Sequence, residues 1–223
     1  VKEQRVESVE RALSIIEAFS AKDAELTLAQ LSEETGLYKS TILRLCKSLE
    51  RFGYIVRKPS GKFRIGPSLW RLGSLYSRSF ELSEIIRPEL RNLVDDIRET
   101  ATFYVREGND RVCLYREVSP HPLRFDLDEG SRLPMDRGAA AHVLRAYSED
   151  ARPEDHAIRQ AGYVISNAER SPQVTAVAVP VFGRSGEMRG AIGVSAPSFR
   201  FDQQACRRAI DSLTAAAARL RDQ

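Results

Sequence analysis

Between residues 27 and 65 the spacing of apolar residues switches from helical to strand-like, and glycines mark the joints. Thr27-Leu28-Ala29-Gln30 has capping-box spacing: the Thr27 hydroxyl can accept from the Gln30 amide while the Gln30 side chain reaches back. A helix through Thr35 is predicted, ended by Gly36, because glycine readily takes the left-handed conformation beyond a helix. Ile42, Leu45, Cys46, Leu49 and Phe52 then form an apolar stripe on a second helix that stops at Gly53, with Ser40, Arg44, Lys47 and Arg51 on the opposite face. Beyond it, Tyr54-Ile55-Val56 and Lys62-Phe63-Arg64-Ile65 flank the turn cluster Pro59-Ser60-Gly61, the pattern of a β-hairpin. Upstream, Ser8 precedes a run in which Val9, Ala12, Leu13, Ile16 and Phe19 share one helical face. Three helices and a hairpin in this order describe a winged helix-turn-helix, whose third helix enters the major groove and whose hairpin is the wing.

Charge singles out the same segment. Residues 39–64 hold eight cations against one acid, Glu50, whereas residues 67–223 carry 22 cations and 22 acids. Such a concentrated basic patch on an otherwise balanced chain is the footprint of a phosphate-backbone partner. All six lysines lie at or before Lys62, and usage changes at Gly66-Pro67. We therefore expect a DNA-binding domain over residues 1–66, a linker helix over 67–82 and a second domain over 83–223.

The remaining chain supports the second domain. Ser68 can start a helix with Leu69, Leu72, Leu75 and Tyr76 on one side, and Ile85, Ile86, Leu90, Leu93, Val94 and Ile97 mark another, with Pro88 early in it, where it is tolerated. Residues 102–107 and 111–118 flank Gly108-Asn109-Asp110, and residues 174–182 and 188–195 flank a second glycine-bearing turn, two hairpins. Helical runs fall near 139–147, 154–160 and 203–220. Strand pairs interspersed with helices make the class α+β. The composition, 42% hydrophobic and 29% charged, is that of a globular protein. The longest apolar stretch, 176–182, is far too short to span a bilayer, and residues 1–4 hold no hydrophobic signal core. The sequence opens on Val1 without an initiator Met, so residues before it are expected. Cys46, Cys113 and Cys206 are odd in number and far apart, which fits a reduced, cytoplasmic setting.

The chain resembles the IclR-type family of bacterial transcriptional regulators. The resemblance is carried by Ser8-Val9-Glu10-Arg11-Ala12-Leu13-Ser14-Ile15-Ile16, Thr35-Gly36-Leu37-Tyr38-Lys39-Ser40-Thr41-Ile42-Leu43-Arg44-Leu45, Phe63-Arg64-Ile65-Gly66, Leu133-Pro134-Met135, Gly162-Tyr163 and Ala176-Val177-Ala178-Val179-Pro180-Val181-Phe182. It implies a winged helix-turn-helix domain, a linker helix and a GAF-like effector-binding domain with an antiparallel sheet flanked by helices. It also implies a homodimer or dimer of dimers on pseudo-palindromic double-stranded operator DNA, paired through helix one and the linker.

Lys39, Ser40, Thr41, Arg44 and Lys47 are the expected recognition-helix contacts, with Arg57, Lys58 and Lys62 on the wing. Tyr38 stands where the family often has a small residue or proline. The resemblance carries the effector pocket to Phe125, Ala139, Ala140, Ser166, Val174, Ala176, Gly193 and Ser195, and helix-start amides around residues 138–140 can receive a carboxylate. Ordinary sheet packing accounts individually for Val174, Ala176 and Gly193. Asp136 replaces a common His, Ala141-His142 a frequent Gly-Lys, and Ser166-Asn167 a frequent acid.

Enzyme readings fare poorly. Gly193-Val194-Ser195-Ala196-Pro197 begins like a nucleophile elbow, yet Pro197 replaces its last glycine. His121, His142 and His156 show no metal-binding spacing, and no dinucleotide or phosphate loop occurs, so no cofactor or metal is expected. Tyr104, Cys113 and Tyr115 fit strand alternation as well as a site. The expected protein is a ligand-responsive regulator, a repressor of a catabolic operon sensing an aromatic or short aliphatic carboxylate. The alternatives are a DNA-binding protein whose second domain only oligomerises and, third, an enzyme acting on a small acid.

Overall fold

The structure, a computed structural model, describes residues 6–20, 23–79, 82–125 and 127–221. Residues 1–4, and residues 80 and 81 of the expected linker, lie outside the described residues, as does the side chain of Tyr76. The chain divides into two compact units that part between residues 80 and 81.

In the first unit, α1 (Glu7–Glu17), α2 (Leu28–Thr35) and α3 (Lys39–Arg51) enclose Ile15, Leu31, Ile42, Cys46 and Leu49, joined by Ile55 and Phe63 from the hairpin. The capping box forms: the Gln30 amide donates to Thr27 Oγ1 at 3.2 Å and the Thr27 amide to Gln30 Oε1 at 2.9 Å. Gly36 sits at φ +68°, as a left-handed helix stop requires. Two ends differ from expectation. α1 starts at Glu7, so Ser8 is inside it rather than its cap, and it ends before Phe19. The buried stripe of α3 closes at Leu49, because Phe52 follows the last turn and is 68% exposed. The wing consists of β2 (Ile55–Arg57) and β3 (Phe63–Ile65), and a strand too short for any periodicity to show, β1 (Glu25–Leu26), pairs with β3 as a third member. α4 (Pro67–Ser79) follows.

The second unit is an antiparallel six-stranded sheet, ordered β6-β5-β4-β9-β8-β7. Its strands are β4 (Thr100–Glu107), β5 (Asp110–Glu117), β6 (Arg132–Pro134), β7 (Val164–Asn167), β8 (Val174–Phe182) and β9 (Met188–Pro197). The edge strands β6 and β7, short and carrying polar residues, were not anticipated. Strand alternation divides the sheet. Ala101, Phe103, Val177, Val179, Val181, Ile192, Val194 and Ala196 pack on one face in a single cluster with residues of α5 (Leu82–Ile97) and α8 (Gln203–Arg221). Tyr104, Ala178 and Ala191 cluster on the other face with Ala139, Ala140, Val143 and Leu144 of α6 (Ala139–Ala146). Pro88 lies in the interior of α5 rather than early in it, because the helix begins at Leu82. It leaves the Glu84 carbonyl without its usual intrahelical donor, and the buried face of Ile86, Leu90, Leu93 and Val94 holds the helix regardless.

α6 is fixed by ionic contacts. Arg145 grips the fully buried Asp155 at the start of α7 (Asp155–Ala161) with two bonds, Nη2 to Oδ1 at 2.7 Å and Nε to Oδ2 at 3.0 Å, and the Arg152 amide donates to Oδ2 at 2.9 Å. The Arg145 bonds, with that amide, hold the Asp155 carboxyl below the usual carboxylate range. Asp155→Asn leaves the largely covered Arg145 guanidinium without its charge partner, an expected loss of about 3 kcal/mol. Because the folded-state pKa is depressed, this stabilisation is complete above the unfolded value near ~4 and is lost as the pH falls through the folded value. Melting curves of both proteins should therefore show a gap that is constant above about pH 5 and narrows below about pH 4.

Candidate functional site

On the first unit, Lys39, Ser40, Arg44 and Lys47 are exposed along α3, and Thr41 is half-buried at its first turn. This follows from the helix period: Ile42, Cys46 and Leu49 turn inward, which leaves the residues between them outward. Tyr38 immediately precedes α3 and is 84% exposed. On the wing, Arg57 and Lys62 are exposed, the Arg57 guanidinium lying 5.5 Å from the centre of the Phe63 ring. Lys58 is half-buried and ion-paired with Glu25, and that bond holds the Glu25 carboxyl below its ordinary value. Of the expected wing cations, Lys58 is thus already engaged by β1.

On the second unit, all eight positions singled out in the sequence line one cavity: Phe125, Ala139, Ala140, Ser166, Val174, Ala176, Gly193 and Ser195. They come from the sheet face opposite α5 and α8, from the start of α6 and from the loop before β6. Small side chains at alternate positions of β8 and β9 leave the space, about 50 Å³. That admits about four water-sized groups. Gly193 also serves the sheet, since a Cβ there would stand 2.7 Å from the Val177 carbonyl oxygen.

Sequence reasoning finds Gly138 through its helix-start amide but misses further lining residues, Thr102, Arg111, Arg170, Val177 and Ala178, and does not decide Tyr104 between site and sheet packing. Tyr104 belongs to the cavity wall, and burial pushes its phenol up to about 12, so it stays a neutral hydroxyl. Tyr115 faces the opposite core, and Cys113 is buried against α6 with its thiol pushed up to about 12 by burial. Arg111 is 3% exposed, and its burial lowers the guanidinium pKa. The sequence places it only at the start of a strand beside the Gly-Asn-Asp turn, and nothing in the local pattern signals that it turns inward.

The start of α6 is built on Gly138 at φ +95°, a backbone that a side chain would strain. Its amide donates to Glu169 Oε2 at 2.8 Å, and the same oxygen lies 2.7 Å from His142 Nε2. Burial pushes the Glu169 carboxyl up, but the Gly138 amide and His142 outweigh it and the net shift is downward. The first of the expected carboxylate-binding amides is therefore occupied by the chain's own Glu169. Among the described residues, no group of three or more His, Cys, Asp or Glu could hold a metal ion, and no helix is long and apolar enough to cross a membrane.

Comparison with known proteins matches both units to one family. The IclR helix-turn-helix domain matches residues 8–59, and the C-terminal domain of the bacterial transcriptional regulator IclR matches residues 74–157 and 152–221. The HTH-type transcriptional regulator XynR of Escherichia coli K12 is 27% identical, the match covering 88% of each chain. An IclR transcriptional regulator from Alicyclobacillus acidocaldarius has a similar structure, with a TM-score of 0.81 and 22% identity over 98% of both chains. An IclR homologue from Microbacterium hydrocarbonoxydans, solved in complex with 4-hydroxybenzoate, has a TM-score of 0.77 and 20% identity over 97% of this chain and 100% of its own.

Proposed function

The chain belongs to the IclR family of bacterial transcriptional regulators, and from that premise we propose that it is a repressor of a catabolic operon that responds to a small organic acid. The observation that carries this reading is the convergence of β8, β9 and the α6 start on one cavity, in the unit that does not bear the basic recognition helix. The Microbacterium homologue, solved with an aromatic acid, supports the ligand class. The modest volume of this cavity favours the short aliphatic members of that class.

In this reading Lys39, Ser40, Thr41, Arg44 and Lys47 enter the major groove, Arg44 addressing a base edge, while Arg57, Lys58 and Lys62 hold the backbone. The operator is pseudo-palindromic and the protein acts in the cytoplasm as a homodimer or a dimer of dimers. Exposed apolar side chains support pairing of the first units: Val9 and Leu13 on α1, and Trp70, Leu72 and Leu75 on α4. A ligand changes operator binding only by favouring one arrangement of the paired units over another.

Three outcomes are expected. In a thermal-shift screen of aliphatic and aromatic carboxylates, an effector at about 100 times its dissociation constant adds about 2.7 kcal/mol of stability and alters binding to the upstream DNA of the gene. A flat screen with DNA binding intact instead favours a second domain that only oligomerises. In binding titrations across salt, Arg44→Ala loses about 1–3 kcal/mol of base discrimination, whereas Lys62→Ala lowers the salt slope by about one at every sequence. Sedimentation of Leu13→Asp shows dissociation toward monomer, with operator affinity reduced roughly 100-fold as the paired contact is lost.

A further inference from the structure

Arg111, at the start of β5, carries a charge that pairs directly with no carboxylate among the described residues. The residue is 3% exposed, and its Nε has no hydrogen-bond partner. Nη1 donates to the Pro134 carbonyl, and the guanidinium lies 5.6 Å from the centre of the Tyr104 ring. Among the described residues no carboxylate pairs with it. The two acids whose charges reach it are committed elsewhere: Asp136 receives Arg137 at 2.8 and 2.9 Å, and Glu169 receives the Gly138 amide and His142. A second cation, Arg170, stacks over Phe125 at 5.1 Å on the same cavity wall and opposes the Arg111 charge. A guanidinium cannot escape burial by losing its proton, so an unpaired one is costly.

The α6 start converges on the same point. A Cβ on Gly138 would stand 3.2 Å from Arg111 Nη2, so the guanidinium lies against the first turn of α6, where the Gly138 amide is taken by Glu169 and the Ala139, Ala140 and Ala141 amides have no intrahelical acceptors. An anion there receives a buried charged donor and a helix start together, a pairing stronger than either neutral amides or a solvated cation supplies.

We infer that Arg111 is the residue of this cavity that pairs with the anionic group of the ligand and makes the pocket select an acid over its uncharged counterpart. The inference rests on the reading of the cavity as an effector site. It assigns Arg111 a binding role that its hydrogen bond to Pro134 alone would not require.

The test is calorimetric titration of the full chain with acetate, lactate, malonate and benzoate, and with acetamide, lactamide, malonamide and benzamide. Wild type is expected to bind at least one acid about tenfold or more tightly than the matching amide. Arg111→Gln is expected to abolish that difference by weakening the acid alone, and Arg111→Lys to keep part of it. Arg111→Gln binding the acid within about twofold of wild type overturns the inference and leaves the effector reading standing. Amides binding as tightly as acids in wild type overturns it without recourse to any variant, so a misfolded Arg111→Gln does not blunt the experiment. Failure of every acid and amide to bind overturns both the inference and the proposal of an acid effector.

Discussion

The second unit depends on a difference in side-chain size between the two faces of β8 and β9. On the α5/α8 face, Val177, Val179, Val181, Ile192 and Val194 fill the space against the apolar faces of two long helices. On the other face the same strands present Ala176, Ala178, Gly193 and Ser195, which cannot fill the distance to α6. Since successive residues of a strand point to opposite faces, one ten-residue strand supplies both the core that stabilises the fold and the wall of a cavity. Slipping β9 by one residue would bring Val194 and Ile192 into the cavity and close it.

That cavity persists only if α6 is held off the sheet at a fixed height, and its own contacts with the sheet are mostly alanine. Arg145 and Asp155 anchor its end to α7, while Glu169, bonded to both Gly138 and His142, anchors its start to the loop after β7. The anchors are ionic and local, so α6 is tied at both ends, with Val143 and Leu144 buried in the core between them. In the proposed role, a ligand anion at the α6 start would stand one amide from the Glu169 carboxylate, and its charge would act on the contact that positions the helix, where a bound ligand could bias one arrangement over another.

Much of this was legible in the sequence, for reasons that differ by element. The Thr27–Gln30 capping box and the Gly36 stop are local chemistry, complete within a few residues, and both form as read. The stripe of α3 was legible through Leu49 because a helix of that length carries several repeats of its period; its extension to Phe52 failed because the last turn has no further layer to pack against. β1, β6 and β7 escaped notice since strands of two to four residues contain too little alternation to detect, and they exist because longer neighbours offer them hydrogen-bonding edges. The eight cavity positions came from resemblance, while Arg111 came from neither pattern nor resemblance. A register shift between Phe103 and Tyr104 changes which side of β5 faces the core, and a bulge of that kind leaves no mark in the spacing of a single strand.

The same chemical group is used in two dielectric settings in this chain. Arg44 and its neighbours on α3 are solvated, so they attract a polyanion through a field that salt screens within about 10 Å and exchange counterions freely, which suits fast, reversible search along DNA. Arg111 is withdrawn from water, where screening is weak and each contact depends on geometry. Lys58 lies between these cases: half-buried and already paired with Glu25, it would serve a phosphate only by sharing its charge, and in the proposed DNA contact it would contribute less to the salt slope than Lys62 although both sit on the wing. Counting cations along residues 39–64 therefore overstates the charge available to DNA, and the count that matters is the one left after the fold has used its share.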